Sequence, residues 1–240
     1  AGAILGVAMV ASDGYETKAV EFAEKSASLD PKLAEARELL ARLALEDGDE
    51  ERAIEQAGKA LEIEPESLDA MVVRATIDWL NDKVETPWIG RILEINPVYG
   101  EAYATAGHFH MLNRRYEEAI RFYRKAIDLN PKLLKARAQL GINLMRLGQD
   151  EEAQWHLEYC YTYGDRYASV VNPLRVLDSH KHFVTRKSDG IVLKVHSWDE
   201  ALLAPYLERE LRCAIETYEK KYKFKLERPV EVQAYPEHDD

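Results

Sequence analysis

Residues 97–131 read PVYGEAYATAGHFHMLNRRYEEAIRFYRKAIDLNP. Apolar residues recur at intervals of three and four on both sides of a polar interruption, Asn113-Arg114-Arg115, which predicts two amphipathic helices joined by a tight turn. Small residues (Gly107, Ala119, Ala126) stand where the two helices must approach closely, and Tyr103, Phe109 and Tyr123 sit at inward intervals. Asn130-Pro131 closes the stretch. Proline has no amide hydrogen and disfavours helix at the residue before it, so the pair stops the second helix.

The same punctuation recurs along the chain at Asp30-Pro31, Glu64-Pro65, Asn96-Pro97 and Asn130-Pro131, with spacings of 34, 32 and 34 residues. Each follows a similar run: SASLDP, ALEIEP, ILEINP, AIDLNP. Five units result. The first is truncated at its front and turns at Asp13-Gly14-Tyr15. The second spans 34–67, with Gly48-Asp49 at its turn. The third, 68–99, is irregular and two residues short. The fourth contains the stretch quoted above. The fifth starts at Leu134 and has Asp165 where proline would stand. These units resemble the tetratricopeptide repeat over residues 1–166. The resemblance implies a mostly α fold, an α-solenoid of about five helix-turn-helix hairpins. Each hairpin has two apolar faces and buries them only by stacking on its neighbours. The opening AGAILGVAMVA has no basic start and runs in phase with the repeats, so it is read as helix rather than as a signal-peptide core.

The period disappears after Arg166. Residues 167–180 read as a capping helix and linker, and 181–240 as a small α+β segment of an incomplete domain. In that segment Phe183–Arg186 and Ile191–His196 alternate about Asp189-Gly190 as a β-hairpin. Ser197-Trp198-Asp199-Glu200 has the form of a capping box before a long helix to about Tyr222, and Pro229–Tyr235 reads as a third strand. The runs FVTRKSDGIVLKVH, DEALLAPYLERELRCAIETYEKKYKF and RPVEVQAYPEHDD are similar to the start of the catalytic domain in bacterial repeat-fused metallopeptidases of the peptidase MA-like (gluzincin) type. That family carries a zinc-binding HExxH helix, and this sequence contains none.

Composition excludes several classes of function. Net charge is −11, and from Arg166 onward 13 basic and 13 acidic residues cancel, so the repeats hold the whole acidic excess. Such a surface repels phosphate backbones, and nucleic acid is not an expected partner. No run of about eighteen apolar residues exists to span a membrane. Cys160 and Cys213 lie on apolar-patterned helices and are read as buried free thiols in a soluble, by default cytoplasmic, protein, with export of a longer parent left open.

No catalytic residue, metal ligand or cofactor is expected. His108 and His110 are two apart on a helix and point about 200° apart, so they cannot share an ion. His110 is expected inside the repeats and His108 on the surface. His180 and His182 flank Lys181 at a helix-to-strand junction, where an extended chain could direct both to one side. His238-Asp239-Asp240 reads as a frayed end. What remains is the concave groove that the repeat resemblance implies, lined by the first helix of each hairpin: Glu38, Arg42, Thr76, Trp79, Glu101, His108, Met111, Lys135, Ile142 and Arg146. Trp79 is either an anchor for a ligand or a patch in the shortened third unit. Arg42 and Arg146 are expected to select acidic groups. Two functions are compatible with this pattern. One is a non-catalytic scaffold holding a protein or peptide in the groove. The other is the substrate-recruiting accessory region of a zinc metallopeptidase whose active site lies beyond this chain. The open sheet of the tail is expected to be covered by the repeats or by a second copy, giving a homo-oligomer.

Overall fold

The computed structural model describes residues 16–236. The segment AGAILGVAMVA, the turn Asp13-Gly14-Tyr15 and His238-Asp239-Asp240 lie outside the described residues. Helices make up 69% of the described residues. Two compact units are resolved, Ala1–Leu147 and Gly148–Asp240, and the division falls inside the fifth expected repeat, between its two helices.

The first unit runs α1 (Glu16–Leu29), α2 (Ala34–Glu46), α3 (Glu50–Ile63), α4 (Leu68–Leu80), α5 (Pro87–Ile95), α6 (Glu101–Leu112), α7 (Tyr116–Leu129) and α8 (Leu134–Arg146). Its boundaries follow from the punctuation. Glu64, Asn96 and Asn130 cap their helices in an extended conformation, as residues before proline must. The next turn is the same at all four sites. The amide three residues on returns to the cap carbonyl at 3.1 Å, from Leu33 to Asp30, Ser67 to Glu64, Tyr99 to Asn96 and Leu133 to Asn130. Proline pre-sets the second position of such a turn. Where the cap is Asp or Asn its side chain also accepts an amide, from Lys32, Val98 and Lys132 at 3.0–3.2 Å. Within the hairpins the chain reverses through a left-handed residue, Gly48 (φ 77°), Asp82 (φ 58°) or Arg114 (φ 59°). Asp49 caps α3 by accepting from the Arg52 amide, and Ser67 caps α4 by accepting from Ala70.

Alanine at the helix contacts lets the layers close. Ala41, Ala44, Ala53, Ala57, Ala60 and Ala70 form one buried cluster with Leu45, Val73, Ile77 and Phe109. First helices stack side by side, α2 on α4 and α4 on α6. In the fourth hairpin, a methyl group at Gly107 would lie 3.1 Å from the Tyr123 ring, so glycine there sets the spacing of α6 and α7. The third hairpin is irregular as expected: α5 has only nine residues, and Lys83 and Thr86 brace the loop before it by donating to Asp78.

The second unit contains α9 (Asp150–Thr162), α10 (Ala168–Ser179), a 3₁₀ turn (His180–His182), β1 (Phe183–Ser188), β2 (Ile191–His196), α11 (Glu200–Tyr222) and β3 (Val230–Ala234). The strand order is β1-β2-β3. β1 and β2 pair antiparallel, with Phe183 opposite His196, about the turn Asp189-Gly190, whose residues both have positive φ. β2 and β3 pair parallel, with Ile191 opposite Val230, and α11 makes the crossover. Ile191, Leu193 and Val195 point to one face, where they meet Ala204, Leu207, Leu211 and Ile215 of α11. Two expectations fail here. The capping box does not form: α11 starts at Glu200 with Asp199 as an unbonded cap, and Glu200 accepts instead from Arg186 at 2.7 Å. A two-carboxylate clamp on the Arg186 guanidinium, Glu200 with Glu208, competes better than a return to the helix backbone. Cys160 is buried but Cys213 is exposed, because α11 packs only its leucine-bearing face on the sheet.

Candidate functional site

All ten expected groove residues lie on the first helices α2, α4, α6 and α8 of the first unit, and the structure sorts them by accessibility. Arg42, Lys135 and Arg146 are exposed. Glu38, Glu101, His108, Met111 and Ile142 are half-buried. Thr76 and Trp79 do not reach the surface: Thr76 is fully buried, with no hydrogen-bond partner for its hydroxyl, and Trp79 is 8% exposed. The indole stacks on Tyr103 at 5.3 Å and meets Phe122 at 4.9 Å, beside Trp88 and Ile89 of the short α5. It therefore fills the space left by the shortened hairpin, the second of the two roles its position allowed.

His108 and His110 separate as expected. His110 is buried, stacked 4.8 Å from Phe122, and neither ring nitrogen has a hydrogen-bond partner. Burial holds its imidazole below the ordinary range, and the nearby Arg115 charge pushes the same way. His108 meets Phe109 edge-on at 5.6 Å. Its imidazole is also held low by burial, with Glu46 opposing and Arg42 assisting. Those two residues belong to α2, so charges on α2 act on a side chain of α6.

Arg42 is not a bare cation. Its Nε lies 3.2 Å from Glu46, a helical i,i+4 pair. Arg146 donates to Asn143 at 3.4 Å and lies over the Tyr116 ring at 5.2 Å. At the α2 end the face is acidic. Glu38 accepts from Ser67 at 2.5 Å, yet burial pushes its carboxyl up, with Asp69, Glu64 and Glu35 adding repulsion. Tyr99 donates to Asp69 at 3.3 Å, and burial and that carboxylate push its phenol up.

Glu46, Ser67 and Tyr99 take part in this face without having been singled out. Glu46 was legible, since it holds in the second repeat the position Arg146 holds in the fifth. Ser67 and Tyr99 were not, because each is the last residue of its repeat and bonds back some thirty residues to that repeat's first helix, Ser67 to Glu38 and Tyr99 to Asp69. His180 and His182 do not turn to one side. The chain at His180–His182 is a 3₁₀ turn rather than extended, so His180 points to Asp150 and Tyr235 while the His182 ring lies 5.9 Å from His196. Among the described residues no group of three or more His, Cys, Asp and Glu side chains is placed to hold a metal ion, and no helix is long and apolar enough to cross a membrane.

Tetratricopeptide repeat family models match residues 34–67 and 100–133, the second and fourth repeats in the register set by the prolines. The chain carries tetratricopeptide repeats. Over 70 residues it is 31% identical to anaphase-promoting complex subunit 3 of Schizosaccharomyces pombe, spanning 29% of this chain and about a tenth of that protein's length. Among solved structures it is similar to a thermophilic TPR protein of Thermus thermophilus, with a TM-score of 0.55 and 18% identity. That likeness covers 73% of this chain and 96% of the other. It also matches YrrB, described as a TPR protein with an unusual peptide-binding site, with a TM-score of 0.39 and 18% identity over 69% of this chain and 87% of that one. At 18% identity the likeness to the Thermus thermophilus protein is one of fold. The metallopeptidase resemblance of the tail gains no support from the family matches, which fall on repeats.

Proposed function

We propose that the first unit, built of tetratricopeptide repeats, is a non-catalytic scaffold that holds a segment of a partner protein along its first-helix face. What supports this reading is the side-by-side stacking of the first helices, α2 on α4 and α4 on α6, with the charges of Arg42 and Glu46 on α2 acting on the His108 imidazole of α6. Met111 and Ile142 are half-buried apolar residues of the same set of first helices, and Lys135 and Arg146 are exposed. Such a face suits a helical or extended peptide, which offers side chains at regular intervals and needs no deep pocket. Trp79 acts from behind, fixing α4 against α6 through Tyr103 and against α7 through Phe122. The five-repeat extent to residue 166 and the distinct α+β segment over residues 181–240 are part of the same proposal.

The test is site-specific photocrosslinking in cells from Met111 on this face and from Glu94 on α5, followed by calorimetry with the captured protein once purified. Capture from Met111 alone is expected, with affinity reduced on the order of tenfold or more in Arg42→Ala/His108→Ala at unchanged helicity. Equal capture from Glu94, or unchanged affinity in the double variant, would place the interaction elsewhere.

A further inference from the structure

The shortened third hairpin leaves a second surface, separate from the first-helix face. α5 has nine residues where α3 and α7 have fourteen, a shortfall of about 7 Å of helix. Trp79 fills the space from inside. The rings packed around it stay half-buried rather than enclosed: Trp88 of α5, Tyr103 of α6 and Phe122 of α7. Tyr103 and Phe122 lie 6.3 Å apart and tilted, and with Trp88 they make an aromatic floor contributed by two neighbouring repeats.

Three cations stand over that floor. Arg74 of α4 and Arg91 of α5 place their guanidinium carbons 5.1 and 5.4 Å from the centre of the Trp88 ring. The Lys125 ammonium of α7 lies 5.5 Å from Tyr103 and 5.9 Å from Phe122. Elsewhere in the first unit Arg52, Lys59, Lys83 and Arg115 are each held by a carboxylate. Among the described residues no carboxylate pairs with Arg74, Arg91 or Lys125. Arg91 donates to the Pro65 carbonyl at 2.9 Å. Asp78, one turn on from Arg74 in α4, gives its two oxygens to Lys83 at 2.6 Å and Thr86 at 2.7 Å. A cation over a ring keeps its outward N–H donors unspent, and a stacked guanidinium still offers its planar fork to a carboxylate.

We infer that this surface docks a short acidic segment of a partner protein, with carboxylates on either side of an apolar residue. The carboxylates pair with Arg74 and Arg91 at one end and with Lys125 at the other, and the apolar side chain lies on Tyr103 and Phe122. Charge decides the class of partner. The repeats carry the acidic excess of the chain, so a long polyanion such as nucleic acid is repelled along most of its length. A few carboxylates fit within the roughly 8–10 Å over which the three local cations dominate in salt. The surface is formed by α5, α7 and the side of α4 that meets Trp88, whereas Arg42 and His108 belong to the first-helix face, so either surface can fail without the other.

The experiment titrates the full chain with a labelled peptide alternating Glu with Leu, beside the same peptide with Lys for Glu and a single-stranded oligonucleotide. Fluorescence anisotropy reads affinity, and the Trp88 indole N–H signal in NMR, assigned through Trp88→Phe, reads the place. Saturable binding of the Glu peptide is expected, with movement of the Trp88 signal and weakening by added salt. Arg91→Gln/Lys125→Gln should reduce affinity on the order of tenfold at unchanged helicity, since both side chains are exposed. Lys125→Glu repeats the test without disturbing the Arg91 bond to Pro65. Arg42→Ala/His108→Ala should leave this binding as it is, which separates it from any failure of the first-helix face. The inference is overturned by no binding, by equal binding of the Lys peptide, or by tighter binding of the oligonucleotide. Undiminished affinity in the Arg91 and Lys125 variants, or loss of binding in Arg42→Ala/His108→Ala, would overturn it as well.

Discussion

Gly100 opens the fourth repeat, and replacing it with alanine tests the packing of that hairpin directly. Its backbone (φ −66°, ψ −19°) is one that alanine adopts without strain, so any cost arises from space alone. The added methyl would lie 2.3 Å from the Ala126 carbonyl oxygen and 2.8 Å from Leu133 Cδ1, both inside the 3.0 Å that such contacts respect. Leu133 can rotate. The Ala126 carbonyl cannot, because it accepts the Asn130 amide at 3.0 Å in the bond that ends α7. Relief therefore requires about 0.7 Å of retreat by α6 or loss of that terminal bond. Overpacking of this kind costs about 1–3 kcal/mol, and a broken backbone bond adds about 1 kcal/mol. Gly58 in α3 and Gly90 in α5 supply the control, since a methyl at either meets nothing within 4 Å. Alanine there should stabilise by about 0.5–1 kcal/mol through helix propensity. Urea unfolding followed by circular dichroism, with hydrogen exchange of α6 and α7, separates the two cases. If Gly100→Ala is as stable as Gly58→Ala, the fourth hairpin does not pack as described.

Gly107→Leu should also destabilise, by about 1–3 kcal/mol or more, because its first carbon already presses on the Tyr123 ring; a loss under about 0.5 kcal/mol in urea would remove Gly107 from the helix contact. His110 governs acid stability. With its folded titration held below the ordinary 6.5, the unfolded chain takes up the proton first, so its stabilisation is intact above 6.5 and lost as pH falls from there through the folded value. His110→Phe keeps the stack on Phe122 and removes two unpaired nitrogens. The variant should be more stable by about 1 kcal/mol near pH 7, with the gap widening at about pH 5.5. His108, shifted the same way, leaves a shallower slope in that variant, and an undiminished slope would refute the assignment.

The hairpins, their boundaries and the three strands were legible in the sequence because each depends on local chemistry. A proline stops a helix wherever it stands, and a period of three and four makes an amphipathic face without reference to the rest of the chain. Tertiary structure decided which residues of that face are presented. Trp79 has the position and chemistry of a ligand anchor, yet it is buried because the short α5 leaves a space that Tyr103 and Phe122, from the next repeat, close over. The capping box failed for a similar reason, since Arg186 on another element draws Glu200 away from the helix backbone. The ion-pair cluster about Lys194 was least legible of all. Its members Asp150, Lys194 and Glu231 are far apart in sequence, and the parallel pairing of β2 with β3 sets Lys194 near Glu231 while Asp150 is the first residue of α9. Periodicity is written along the chain, whereas ion pairing depends on which polar atoms meet, and that is fixed by contacts between residues far apart in sequence.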